Sequence, residues 1–227
     1  MIDLNAVKSK LPGYFEIIAY AENELNIDPS KLIPAMRTSA IHSFGWPIGV
    51  VLEGNDEYKP IFTQKGIRAT IDSKDGALGP SFDFWELTRK GEFYLLKSLF
   101  EDRRGNKLFY FDVRIKRVAE ALLRIGRLYN NLGLTDTSSL AIKLSYDGLK
   151  DRQLIAASSD FFIALPKKCS ISNFEFKLQA SVGELTSNNF ITDKTIEICS
   201  ELFLLFDGTT LSEDVYKKII SQFLMKI

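Results

Sequence analysis

Histidine and cysteine are nearly missing from this chain, and their scarcity removes whole classes of chemistry. His42 is the single histidine among 227 residues, so neither a histidine pair for zinc nor an HExxH helix can be assembled. His42 is also the one imidazole available to a serine or cysteine triad. Set between Ile41 and Ser43 just before a turn, it is expected to cap or pack, not to act as a base. Cys169 and Cys199 are the two cysteines; they match no CxxC spacing and are expected to be buried free thiols. No metal and no cofactor is therefore expected.

Other absences narrow the reading further. Lys plus Arg and Asp plus Glu both number 29, so no global field draws the chain to nucleic acid or to an anionic membrane. No run of about eighteen apolar residues occurs, and no basic segment leads into an apolar stretch at the amino terminus, so a cytoplasmic protein is expected. Gly76, Gly79 and Pro80 fit neither the GxxxxGK[ST] nor the GxGxxG pattern, Ser158-Ser159-Asp160 reads as a loop or cap, and there is no GxSxG elbow. Repeats, low-complexity tracts and flexible linkers are likewise missing.

What the sequence does have is apolar patterning. Residues 81–87, 92–100 and 107–111 are short aromatic-rich runs bounded by charged and glycine turns, which predicts strands. The second run is apolar on both faces: Phe93, Leu95 and Leu99 on one, Tyr94, Leu96 and Phe100 on the other. Such a strand belongs at the centre of a sheet covered on both sides. Asp112 then reads as the N-cap of a long helix whose stripe of Ile115, Val118, Ala119, Leu122, Ile125, Tyr129 and Leu132 ends at Gly133. Further strands are expected at 48–52, 67–71, 141–146, 153–157 and 172–182, with 141–146 and 153–157 flanking a turn at 147–150. Helices are expected where Asp3 and Asp28-Pro29-Ser30 offer caps, and again from Thr192-Asp193 and Ser212 onward.

The resulting expectation is one α+β domain over 1–227, with a mixed, mostly antiparallel sheet packed by a long central helix. Residues 1–43 form a helical amino-terminal segment, 44–185 the sheet and central helix, and 189–227 the carboxy-terminal helices.

Two clusters of polar residues deserve a chemical test. Arg114, Arg117, Arg124 and Arg127 fall on the helix face opposite the apolar stripe, with Arg103 and Arg104 in the preceding loop. Guanidinium groups spaced by one or two turns can follow a phosphate backbone or hold an acidic partner. Glu120, Glu101, Asp102 and Asp112 lie close by in sequence, so the plainer expectation is an ion-paired, solvated helix face. Glu101, Asp102 and Asp112 with Lys107 also bear a loose likeness to a metal-dependent nuclease set, at a spacing any acidic loop would match. Trp46 and Trp85 are expected in the core or at a sheet edge, with Trp85, beside Phe82 and Phe84, a stacking platform for a base only if exposed.

The order Phe44-Gly45-Trp46-Pro47-Ile48, Lys65-Gly66-Ile67-Arg68-Ala69, Phe84-Trp85, Gly91-Glu92-Phe93-Tyr94, Ser98-Leu99-Phe100-Glu101-Asp102, Phe111-Asp112-Val113-Arg114-Ile115, Arg117-Val118-Ala119-Glu120-Ala121 and Gly148-Leu149 resembles a region that accompanies Schlafen-type, AlbA-like DNA-binding domains in bacterial proteins. The resemblance covers roughly residues 35–155 and transfers no functional residue. The AlbA-like domain itself needs more than the forty residues before Phe44 and is expected to be absent. The resemblance thus implies an accessory or interaction domain in a bacterial regulatory or defence system. The leading expectation is a non-enzymatic binding or scaffold module with a protein partner or larger complex. The alternative is an accessory nucleic-acid-binding domain using Arg103, Arg104, Arg114, Arg117, Arg124 and Arg127.

Overall fold

The run at 92–100 lies at the centre of a seven-stranded sheet, in a computed structural model that describes residues 2–43, 45–73, 81–104, 107–161, 163 and 167–227. Arg104 is described by its backbone alone; its side chain, Phe44 of the expected turn, and Gly76, Gly79 and Pro80 lie outside the described residues. In chain order the sheet strands are β1 (Tyr14–Ala21), β2 (Ile61–Phe62), β3 (Gly66–Ser73), β4 (Ser81–Thr88), β5 (Phe93–Ser98), β7 (Ser139–Asp147) and β10 (Phe174–Ser181). Their spatial order is β10-β7-β1-β5-β4-β3-β2, and every neighbouring pair is antiparallel. A second sheet sets β6 (Leu108–Tyr110) parallel to β8 (Gln153–Ile155), with β9 (Lys167–Lys168) antiparallel beyond it.

The helices are α1 (Leu4–Lys8), α2 (Pro29–Thr38), α3 (Phe111–Asn131), α4 (Asn188–Leu204) and α5 (Glu213–Leu224). α3 lies along one face of the large sheet and packs on its other sides against α2, α4 and α5. Phe15, Ile17, Phe93, Leu95, Trp85, Leu87, Ile142 and Leu144 supply the sheet side of this core, and Ile115, Val118, Leu122, Ile125 and Tyr129 the helix side. The Tyr129 hydroxyl donates to the carbonyl of Gly91, at 2.6 Å, and so fixes α3 to the turn between β4 and β5. None of the described helices is long and apolar enough to span a membrane.

Both amino-terminal helices start where the sequence indicates. The Asp3 carboxylate accepts from the N–H groups of Asn5 and Ala6, and that of Asp28 from Ser30, ahead of Pro29 in the first turn. Between them, however, Tyr14–Ala21 is a strand, so residues 1–43 are not wholly helical. β1 alternates Phe15, Ile17 and Ala19 toward α3 with Tyr14, Glu16, Ile18 and Tyr20 on the other face, and it joins β5 to β7.

Three more expectations are corrected. Residues 48–52 are a turn-rich loop, not a strand: Gly49 has φ +59°, and the loop's polar backbone is satisfied by side chains from elsewhere. The Ile48 N–H donates to Glu120, the Gly49 carbonyl accepts from Arg124, and the Val50 carbonyl accepts from Trp85 Nε1. β8 does not return beside β7. Arg152 diverts it, donating to the carbonyls of Gly148 and Leu108 while pairing with Asp102 at 2.6 Å, which brings β8 alongside β6. Lastly, Asp112 does not cap α3, since Tyr110 holds the cap position. The Asp112 carboxylate instead accepts from the N–H groups of Ala157 and Ser158, at 2.8 and 3.1 Å, and anchors a loop far along the chain.

Candidate functional site

α3 displays its arginines to the interior of the protein. Arg114, Arg117 and Arg124 are all buried, which corrects the expectation of a solvated face. The reason is coverage: the 3₁₀ turn Phe100–Arg104, the loop at residues 45–52 and α2 bring partners to this side of α3. Arg114 reaches Glu101 at 3.2 Å, and the other oxygen of that carboxylate accepts from the N–H of Tyr110. Arg117 pairs with Glu120 at 2.5 Å. Arg124 is 1% exposed and donates to the carbonyls of Met36 and Gly49, at 3.0 and 2.9 Å. Desolvation lowers its pKa to about 10, so it still carries its charge near neutrality.

Arg127 and Arg103 are half-exposed, and the five arginines whose side chains are described do not form one surface patch. The Lys97–Asp83 pair, which the sequence reading passed over, belongs to the same buried row, facing Arg117 and Glu120 from β4 and β5. Burial pushes the Lys97 ammonium below its ordinary pKa even with Asp83 beside it. Its signal in the sequence was two charges directly opposite in a hairpin whose other residues on that face are apolar.

The nuclease-like set is dispersed. Glu101 serves Arg114 and Tyr110, Asp102 pairs with Arg152, Asp112 holds Ala157 and Ser158, and Lys107 lies 3.6 Å from Asp151. Among the described residues no three His, Cys, Asp or Glu side chains are grouped to hold a metal ion. His42 is exposed. Cys169 and Cys199 are buried free thiols, and burial raises the pKa of both, which makes them poor nucleophiles. Trp85 is fully buried, and Trp46 is exposed on the loop at residues 45–52.

One surface open to recognition is the sheet face turned away from α3, and it has two halves. α1 covers one. Ile2, Leu4, Val7 and Leu11 pack there on Phe82, Phe84 and Leu96, with Tyr14 and Tyr94 at the border. Under the end of α1, the Glu16 carboxylate binds the Lys8 ammonium, the Tyr94 hydroxyl at 2.6 Å and the Ser145 hydroxyl at 3.2 Å. Burial by itself would raise the Glu16 pKa, but the hydrogen bonds from Lys8, Tyr94 and Ser145 outweigh it and hold the carboxyl below its ordinary value. Tyr14, hydrogen-bonded to Asp147 at 3.0 Å, is raised to about 12 by burial and by that neighbour.

The other half is open. Ile18 and Tyr20 of β1, Ala141 and Lys143 of β7, and Lys177 and Gln179 of β10 line a shallow groove of about 580 Å³. Tyr20 is 47% exposed and forms the apolar floor with Ile18, while Lys143 and Lys177 border it. The sequence reading could not find this groove, because it took the segment containing Ile18 and Tyr20 as helical. Comparison with known proteins gives no match: no family model, curated protein or solved structure is similar to the chain.

Proposed function

We propose that this chain is a non-enzymatic binding module that receives a protein partner on the open half of its sheet. One observation carries the reading: an exposed tyrosine and an isoleucine of β1 form an apolar groove floor that two lysines, of β7 and β10, border on the side of the sheet's edge. Aromatic side chains with an apolar body are the usual anchors of protein interfaces, and lysines at the rim favour a partner segment with acidic residues beside its apolar ones. The alternative of phosphate recognition by α3 is the weaker reading, since guanidinium groups enclosed by Glu101, Glu120 and the carbonyls of Met36 and Gly49 have no route to a nucleic-acid backbone. A role as one piece of a bacterial regulatory or defence complex belongs to this proposal and rests on the resemblance of residues 35–155 alone, and a place in the cytoplasm on the want of a long apolar run in the sequence.

The test is purification of the wild type and of Tyr20→Asp from the native host, with the co-eluting material identified. The expected result is a stoichiometric protein that accompanies the wild type and is lost from Tyr20→Asp at an unchanged melting temperature. Co-elution of nucleic acid in place of protein, or a partner that remains on Tyr20→Asp, overturns the assignment.

A further inference from the structure

We propose that β10 is a self-association edge, on which a second copy of this chain lays its own β10 antiparallel, with Phe176 beside the twofold axis. The proposal concerns the rim of the sheet, which shares Lys177 and Gln179 with the groove, and its readout is self-association of the pure chain, so it stands whether or not the groove has a partner. β10 ends the seven-stranded sheet: it pairs with β7 on one side and, among the described residues, with no strand on the other. An edge of this kind presents outward N–H and carbonyl groups to any strand of compatible pattern, except at Ser181, whose N–H donates to Glu184 at 2.7 Å. The side chains decide which strand is compatible.

On the open face the edge displays Asn173, Glu175, Lys177 and Gln179, all exposed. Toward the helices it displays Phe174, Phe176 and Leu178, of which Phe176 and Leu178 are only half-buried because no strand shields them on the outer side. A twofold axis perpendicular to the sheet keeps every side chain on its own face, so it must pass between one residue and that residue's copy. Centred on Glu175 it sets two carboxylates opposite each other, and centred on Lys177, two ammonium groups. Centred on Leu178 it leaves both charges facing neutral side chains, Lys177 opposite Gln179 and Glu175 opposite Ser181.

Centred on Phe176 it makes every row complementary. Glu175 faces Lys177 of the second copy and Lys177 faces its Glu175, while Gln179, whose Nε2 donates to Glu22 of its own chain at 3.0 Å, comes opposite Asn173 just beyond the strand. On the helix side Phe176 meets its own copy and Phe174 meets Leu178, in contacts of the kind that stabilise paired strands. Within one chain Glu175 already pairs with Lys143 at 3.3 Å and with Lys177 at 3.1 Å, so its carboxylate retains Lys143 when the second copy's Lys177 arrives. Lysine on an edge strand ordinarily guards against pairing. Here the same residue opposes the like-charge registers and meets an opposite charge in the Phe176-centred one.

The test is sedimentation equilibrium of the full chain over a concentration series, with melting curves to establish folding. The wild type is expected to show a monomer–dimer equilibrium. Lys177→Glu and Glu175→Lys should each weaken it by about tenfold or more, because two attractive cross-strand pairs become two repulsive ones. An equimolar mixture of the two single variants should then associate as a heterodimer, since one chain presents two lysines where the other presents two glutamates. A wild type that stays monomeric throughout, a dimer indifferent to both substitutions, or folded variants that do not associate when mixed would each overturn the proposal.

Discussion

Two networks of charge lie on opposite sides of the same sheet, and they differ in what closes them. The row on α3, with Arg114, Arg117, Glu120 and Arg124, is sealed by segments far apart in the chain, and its partners include backbone groups of a loop that has no ladder of its own. The Glu16 cluster is closed by a single five-residue helix and its lysine, and it borders an open groove. In the first network the charges fix the path of the loop at residues 45–52. In the second they hold α1 down at the boundary between the covered and open halves of the face. A cation on a helix therefore says little about ligands until the segments that cover it are known.

The difference can be broken most severely at Arg124. Arg124→Glu buries a carboxylate against the carbonyls of Met36 and Gly49 and is expected to cost more than about 4 kcal/mol, enough to leave little folded protein by circular dichroism. A variant that melts like the wild type would show that α3 is not covered as described. Glu16→Gln should cost less, about 1.5 to 3 kcal/mol near neutral pH, the worth of hydrogen bonds to a charged group.

That loss is pH-dependent and has a definite sign. The folded Glu16 pKa lies below its unfolded value, so its stabilisation is complete above the unfolded value and disappears as the pH falls through the folded one. Thermal melts from pH 7 to about 3 should therefore show the wild type and Glu16→Gln converging in acid; a constant gap would mean the carboxylate is not the source. The smallest effect sharpens the comparison. Arg127→Glu, on the same helix as Arg124 but half-exposed, is expected to change stability by no more than about 0.5 kcal/mol in denaturant titrations.

What was legible in the sequence follows the range of the contacts. β5 could be placed at the centre because Phe93, Leu95 and Leu96 show its two-sided burial within one short run, and the apolar stripe of α3 shows which side meets the sheet. Capping by Asp3 and Asp28 is likewise local. Asp112 misled because an aspartate ahead of an apolar stripe looks the same whether it caps its own helix or holds residues 157 and 158. The polar side of α3 misled for a similar reason: no helical spacing records that Ile48 and Gly49 will arrive to be bound by Glu120 and Arg124. With β1 taken as helix, neither Glu16 nor the Ile18–Tyr20 floor could be found at all.

The position of β1 also bears on how the protein is made. Its partners β5 and β7 both follow it in the chain, and among the described residues it is the one strand that joins the β5-β4-β3-β2 block to the β7-β10 pair. At synthesis rates of roughly 5 to 20 residues per second, about 6 to 25 seconds separate the emergence of Ala21 from that of Asp147. Through that interval on the ribosome, a segment carrying Phe15, Ile17, Ile18 and Tyr20 has at least one bare edge, while the later strands can already form their own hairpins. The nascent chain thus carries an early apolar strand that waits for β7 before both its edges are paired, an interval in which it is open to pairing with other chains.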